Sequence, residues 1–197
     1  MRKFMYGLVF LTFFTFITGC ASSSPSHFYT LTPVSVPALT TGADYAVSVG
    51  PVVVPAMVDR PQIVLRTGPN RVFIDEFDRW ASSLKDNIQQ VVVENLVSML
   101  GTTRVTMFPK FTAADASYRT LIEVLHFDSE LGEKATLDAL WEVKALKKEL
   151  SHRGRTTLSE PVSGEDYEAL VAAHSRALAK LSADIAEAIR AFEKGTP

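Results

Sequence analysis

Three sets of side chains in this 197-residue sequence could do chemistry. The first is a single cysteine, Cys20. The second is an acidic cluster, Asp75, Glu76 and Asp78, beside Arg79. The third is four histidines, His27, His126, His152 and His174. Paired carboxylates can divide the acid and nucleophile roles of glycoside hydrolysis. Acids at the start of a helix are also expected from the helix dipole alone, and the pattern that follows Phe77 favours that reading. The histidines lie far apart without ligand spacing. His174 falls on the apolar stripe of a helix, as a packed imidazole with one hydrogen bond would, and His126 on a strand reads the same way. HExxH, GxSxG and GxxxxGK[ST] are all missing from the sequence, so the chain carries no signature of zinc-protease, serine-hydrolase or P-loop chemistry. One cysteine excludes an internal disulfide, a CxxC pair and a Cys-rich zinc site. The sequence therefore points to no enzyme: it assigns no catalytic residue, no metal ligand and no bound cofactor.

Cys20 has a different chemistry. The N-terminus reads MRKFMYGLVFLTFFTFITGC. Arg2 and Lys3 form a positive start, and Phe4 to Ile17 is an apolar run too short for a comfortable membrane span, as in a secretory signal. Ile17-Thr18-Gly19-Cys20 resembles the lipobox of bacterial lipoproteins. That resemblance implies a leader over residues 1–19 and, on Cys20, a diacylglyceryl thioether with an N-acyl chain such as palmitate. Each buried methylene contributes about 0.8 kcal/mol, so several chains anchor stably where one would not. Position 21 is Ala, not the Asp that commonly retains such proteins in the inner membrane. The expectation is the outer membrane, on its periplasmic face.

The elements behind these residues fit one domain. After the leader 178 residues remain, enough to fold without disulfide or metal. Apolar residues are 47% and charged residues 21%, near the globular average. Losing Arg2 and Lys3 takes the 20 bases to 18 against 22 acids, net −4, which argues against a nucleic-acid partner. Residues 20–27 read as the acylated cysteine and a Ser-rich tether, and residues 28–194 as a single domain. His27 to Leu31 reads as a short strand, 32–43 as a loop, and Tyr45 to Val54 as a strand ended by Pro55. Gln62–Arg66 and Arg71–Ile74 form a hairpin around Thr67-Gly68-Pro69-Asn70, with Asn70 tolerating a positive φ. From Phe77 the period changes. Phe77, Ala81, Leu84, Ile88, Val91, Val92, Leu96 and Met99 predict an amphipathic helix of about 24 residues, capped by Gly101. Strands follow at Arg104–Phe108, Tyr118–Asp128 and Thr136–Leu146, with a turn at Gly132 and a weak, polar edge strand at Glu149–Ser159. Ser163 to Asp166 then starts a last helix, carrying Tyr167, Leu170, His174, Leu178, Ile185 and Phe192, that ends near Lys194. The fold class is α+β: a mixed, mostly antiparallel sheet with two long helices on one face.

The densest stretch is Asp59 to Trp80, with four bases and four acids. It has two readings. Either Phe77 and Trp80 are core and the charges pair weakly at the surface, or Arg60, Arg66, Asn70, Arg71, Phe77, Arg79 and Trp80 form a docking surface, Arg and Trp being favoured anchors. Here the sequence is similar to the ABC-type transport auxiliary lipoprotein family, and within it to paraquat-inducible-type outer-membrane lipoproteins of MCE systems. The residues that carry the similarity are Phe28 to Leu31, Gly50-Pro51, Asp59 to Gln62, Arg66 to Asn70, Glu76 to Trp80, Asn95-Leu96, Gly101, and Tyr167 to His174 with Leu178. The stretch from Lys147 to Thr157 departs from the pattern: it is basic and lacks an Asp-Gly turn. The resemblance implies a fold like the N-terminal domain of TolB and a non-enzymatic part in trans-envelope lipid transport. It also implies partners: an MCE-domain tunnel protein, an inner-membrane permease, the inner leaflet of the outer membrane, and further copies in a homo-oligomeric ring. The alternative function is a direct periplasmic phospholipid carrier.

Overall fold

A computed structural model of the chain describes residues 24–34, 44–109 and 115–195. The leader, Cys20, the tether through residue 23 and most of the 32–43 loop lie outside the described residues. Ten elements follow in order: β1 (His27–Tyr29), β2 (Val47–Val53), β3 (Gln62–Gly68), β4 (Arg71–Trp80), α1 (Leu84–Leu100), β5 (Val105–Met107), β6 (Tyr118–Glu130), β7 (Lys134–Ala145), β8 (Leu150–Pro161) and α2 (Tyr167–Glu193). This is the α+β fold that the sequence implies.

All eight strands join one sheet, and β6 organises it. One edge of β6 pairs antiparallel with β7 from Tyr118 to Glu130, and β7 pairs in turn with β8. The other edge of β6 is shared. Its first half takes β2, parallel, and its end meets β3 at Leu65–Ser129. Beyond these, β5 extends the sheet from β2, and β4 then β1 extend it from β3. The longest ladders are antiparallel. A register shift between Val124 and His126 lets β6 keep Ile122, Val124 and Phe127 all buried, because a bulge absorbs one residue.

Both helices cover one face and pack on each other, α1 over β2 and β5, α2 over β6, β7 and β8. The seam is made by Ile88, Val92 and Leu96 of α1 and Leu178, Leu181, Ile185 and Ile189 of α2, none of them exposed. Facing them on β7, Ala135, Leu137, Ala139, Val143 and Ala145 alternate inward as a strand of period two requires. Gly101 caps α1 with φ 64°, its N–H donating to the Val97 carbonyl at 3.1 Å.

Several local expectations are corrected. The first helix begins at Leu84, not Phe77: Phe77 to Trp80 are strand, and Ser83 caps the helix by accepting from the Asp86 N–H. The acids of 75–78 therefore do not sit in a helix dipole; the acid of the first turn is Asp86. Within the Ser163 to Asp166 start of α2, the cap is Asp166, accepting from the Ala169 N–H at 2.7 Å. The β3–β4 turn does not use a positive φ at Asn70, since Glu149 is the non-glycine residue with positive φ among those described. Finally, β8 is a full twelve-residue partner of β7. Its bases are used across the ladder: Arg155 forms a bidentate pair with Asp138 at 2.8 and 2.6 Å, and Arg153 reaches Glu142 at 3.1 Å.

Candidate functional site

The acidic cluster occupies a wide irregularity in β4. Gln62 stands opposite Arg79 and Val64 opposite Ile74, so Asp75 to Asp78 all face the single residue Ile63. Four residues against one cannot lie flat, and the strand kinks there. The Asp75 side chain holds the kink, its Oδ1 accepting from the N–H groups of Phe77 at 2.9 Å and Asp78 at 3.3 Å. Tyr167, the first residue of α2, donates to Asp75 Oδ2 at 3.0 Å. Tyr29 of β1 donates to Asp78 Oδ1 at 2.7 Å, and His27 approaches the same oxygen at 3.1 Å. The two tyrosine rings lie 5.6 Å apart. One network thus ties β1, β4 and α2.

The electrostatics suit holding rather than reacting. The Phe77 amide, with help from Tyr167, keeps Asp75 below the usual carboxylate range. Desolvation, then the Asp78 carboxylate, pushes Tyr29 up to about 12. Desolvation and Asp75 raise Tyr167 in the same way. Both phenols stay protonated and donate to charged carboxylates, the stronger kind of hydrogen bond.

The docking candidates divide into exposed and supporting residues. Trp80 is 5% exposed and packs edge-on against Phe127, 6.2 Å between centroids, so it is core. Behind Phe127 lies His174, stacked at 3.9 Å, fully buried, with Nε2 2.8 Å from Ser129 Oγ. Burial lowers His174 to about 3, so it is a neutral packing residue at any physiological pH. Arg66 is half-buried and paired with Asp128 at 2.9 Å, and its Nη1 donates to the Pro69 carbonyl across the turn. Arg79 is half-buried and donates to the Glu76 carbonyl at 3.0 Å. Arg60, Asn70, Arg71 and Phe77 are exposed. Arg60 and Trp80 both line a cleft of about 370 Å³.

The sequence reading missed three neighbours on this edge: Phe28 (64% exposed), Phe73 (51%) and Val72 (39%). Phe28 stands opposite Arg79 in register, so it shares a face with it. From Arg71 to Phe77 the outer edge of β4 carries no strand among the described residues, because β1 pairs only with Asp78 to Trp80. The edge thus has no neighbouring strand and is flanked by exposed apolar side chains, with its Phe77 amide and Glu76 carbonyl taken by the Asp75 and Arg79 side chains; the stretch before the kink, Val72 to Ile74, is the part open to strand addition.

Other residues that carried the family resemblance are structural joints. Asn95, fully buried, accepts from the Val34 N–H at 3.2 Å and donates to Ser182 Oγ at 3.3 Å, joining the segment after β1 to both helices. Gly50 has φ 108°, and a Cβ there would lie 2.4 Å from Gln89 Nε2. That side chain donates to the carbonyls of Val49 and Phe108, at 2.7 and 2.8 Å, so glycine is required for the close approach. Among the described residues no three His, Cys, Asp or Glu side chains are placed to hold a metal ion, and no helix is long and apolar enough to cross a membrane.

Comparison with known proteins fits this geometry. A crystal structure of an uncharacterized protein superposes with TM-score 0.68 at 20% identity, covering 84% of this chain and 99% of that one. A Xanthomonas campestris protein of the DUF330 family superposes with TM-score 0.67 at 17% identity, over 87% of this chain and 100% of that one. At those identities the two show the fold alone. No curated protein matches the chain. A family model described as ABC-type transport auxiliary lipoprotein component matches residues 29–186, from Tyr29 of the tyrosine–carboxylate network through most of α2, and the chain belongs to that family.

Proposed function

We propose that this chain is a lipid-anchored component of a trans-envelope MCE/ABC-type lipid-transport system, docking the periplasmic tunnel at the outer membrane without catalysing a reaction. The family match over residues 29–186 carries the reading. The lipobox at Cys20 supports it: acyl chains would hold the domain at the periplasmic face of the outer membrane, on a tether of a few residues. The open β4 edge supports it as well. In this reading Arg60, Asn70, Arg71 and Phe77 make the contact, with Phe28 and Phe73 beside them. Arg66, Arg79 and Trp80 hold the edge in shape. The partners are an MCE-domain tunnel protein, its inner-membrane permease and further copies of the chain in a ring. Tethering to one membrane raises effective concentration, so a weak interface suffices.

The carrier alternative, with acyl chains between helices and sheet, finds that space filled by the chain's own core, from Leu170 to Ile189. The deciding experiment is a crosslinked recovery of the full-length lipoprotein from native membranes, read by mass spectrometry. Recovery of an MCE protein and its permease is expected. Recovery of the lipoprotein alone would contradict the reading.

A further inference from the structure

A second feature lies at the opposite end of the sheet. Between α2 and the β7–β8 hairpin runs a cleft of about 440 Å³, lined by Trp141, His152, Asp184, Glu187, Ala191 and Phe192 among others. Its size lies in the small-molecule range. Gly154 shapes its floor. A Cβ at Gly154 would lie 2.2 Å from Trp141 Cζ2, so the indole rests directly on the strand backbone because residue 154 has no side chain. His152 is tilted beside the indole at 5.7 Å. Trp141 Nε1 donates to Thr156 Oγ1 at 3.0 Å, and Thr156 Oγ1 donates to Asp184 Oδ2 at 2.5 Å. The ring and one carboxylate are thereby fixed relative to each other. On the helix side Ala191 leaves room where a larger side chain would close the groove.

The charge in this cleft is one-sided. Asp184 and Glu187 both line it, and no lysine or arginine does. Glu187 is exposed and has no hydrogen bond or ion pair among the described residues. Elsewhere on the hairpin the acids are matched, Asp138 by Arg155 and Glu142 by Arg153. Aromatic rings beside carboxylates that lack a cationic partner attract a cation through the ring quadrupole and through charge together. The remaining lining is apolar. We infer that the cleft binds an organic cation, an ammonium group carried on an apolar body. This site is separate from the docking edge and stands whether or not the tunnel is the partner.

The chain has two tryptophans, so 5-fluorotryptophan labelling of the full lipoprotein in nanodiscs gives two resonances, Trp141 lining this cleft and Trp80 in the wall of the separate cleft beside Arg60. The probe is phenethylammonium, and phenylpropionate is the control with a similar body and opposite charge. The ammonium is expected to move the Trp141 signal in a saturable way and leave Trp80 unchanged, while the carboxylate moves neither. Glu187→Gln should weaken the response about two- to fivefold, the scale of one exposed electrostatic contact. Ala191→Phe should abolish it with the Trp80 signal intact. Dihexanoyl phosphatidylethanolamine and dihexanoyl phosphatidylglycerol then separate the sources. A response to the first alone makes an aminophospholipid headgroup a ligand. A response to phenethylammonium without either lipid assigns the site to a non-lipid amine. An equal response to phenylpropionate, or none to the ammonium, would overturn the inference.

Discussion

The two outer hairpins of this sheet solve the same problem in opposite ways. In β7–β8 all twelve residues of each strand pair in an unbroken register from Lys134–Pro161 to Ala145–Leu150. Its outward charges are matched across the ladder, and its free edge carries Ser151, Arg153, Arg155 and Thr157. Charged, polar edges resist unwanted strand addition. In β3–β4 the register shifts twice, four residues bulge opposite one, and Val72, Phe73 and Phe77 stand exposed. That irregularity is not a lapse in packing. The kink is held by Asp75, Asp78 and two tyrosines, with Trp80, Phe127 and His174 stacked behind it. A sheet that builds one edge by simple pairing and braces the other around exposed apolar groups leaves the second open in the way the proposed docking requires.

The comparison can be broken at its braces. Trp80→Ala should destabilise the fold by about 3–5 kcal/mol, since it empties a core site; denaturant unfolding reads it. A wild-type midpoint would return Trp80 to the docking surface. Acid should act next. Burial lowers His174 from the ordinary imidazole value of 6.5 to about 3, so between these the unfolded chain binds this proton and the folded chain does not. Stability should therefore decline as pH falls from 6.5 towards 3, with a limiting slope of about 1.4 kcal/mol per pH unit from this group. Asp138, held at about 2 chiefly by Arg155, adds loss below its ordinary range, starting near pH 3.8. Unfolding curves across that range test the sign; stability that rises on acidification would contradict it.

On the regular hairpin, Gly154→Ala should cost about 1–3 kcal/mol through overpacking against Trp141. The near-ultraviolet circular dichroism of the indole should change with it. The smallest effect sharpens the contrast most. Phe77→Ser should leave stability within about 0.5 kcal/mol, as exposed substitutions do, yet reduce partner recovery.

Much of this was legible in the sequence. The α1 stripe from Leu84 to Met99, the turns at Pro69-Asn70 and Gly132, and the α2 stripe all follow from period and turn chemistry. Phe77 and Ala81 fit the helical stripe by spacing alone: Phe77 is exposed on β4, and Ala81 is exposed in the bend before α1. What was misread in Asp75 to Asp78 depends on Tyr29 and Tyr167, 46 or more residues away along the chain, and no local pattern reports such partners. Likewise β8 looked weak because its matching acids, Asp138 and Glu142, lie on another strand. Gly154 inside a strand is the local sign of the close approach to Trp141, and the cleft above it arises only when Trp141 and Ala191 meet across the fold.

The most direct measurement places a photocrosslinking amino acid at Phe77 on the braced edge and at Thr157 on the regular one, in the full-length lipoprotein in native membranes. Adducts with an MCE-domain protein at position 77, and none at 157, are expected. Adducts at 157 alone, or at neither position, would contradict docking through the β4 edge.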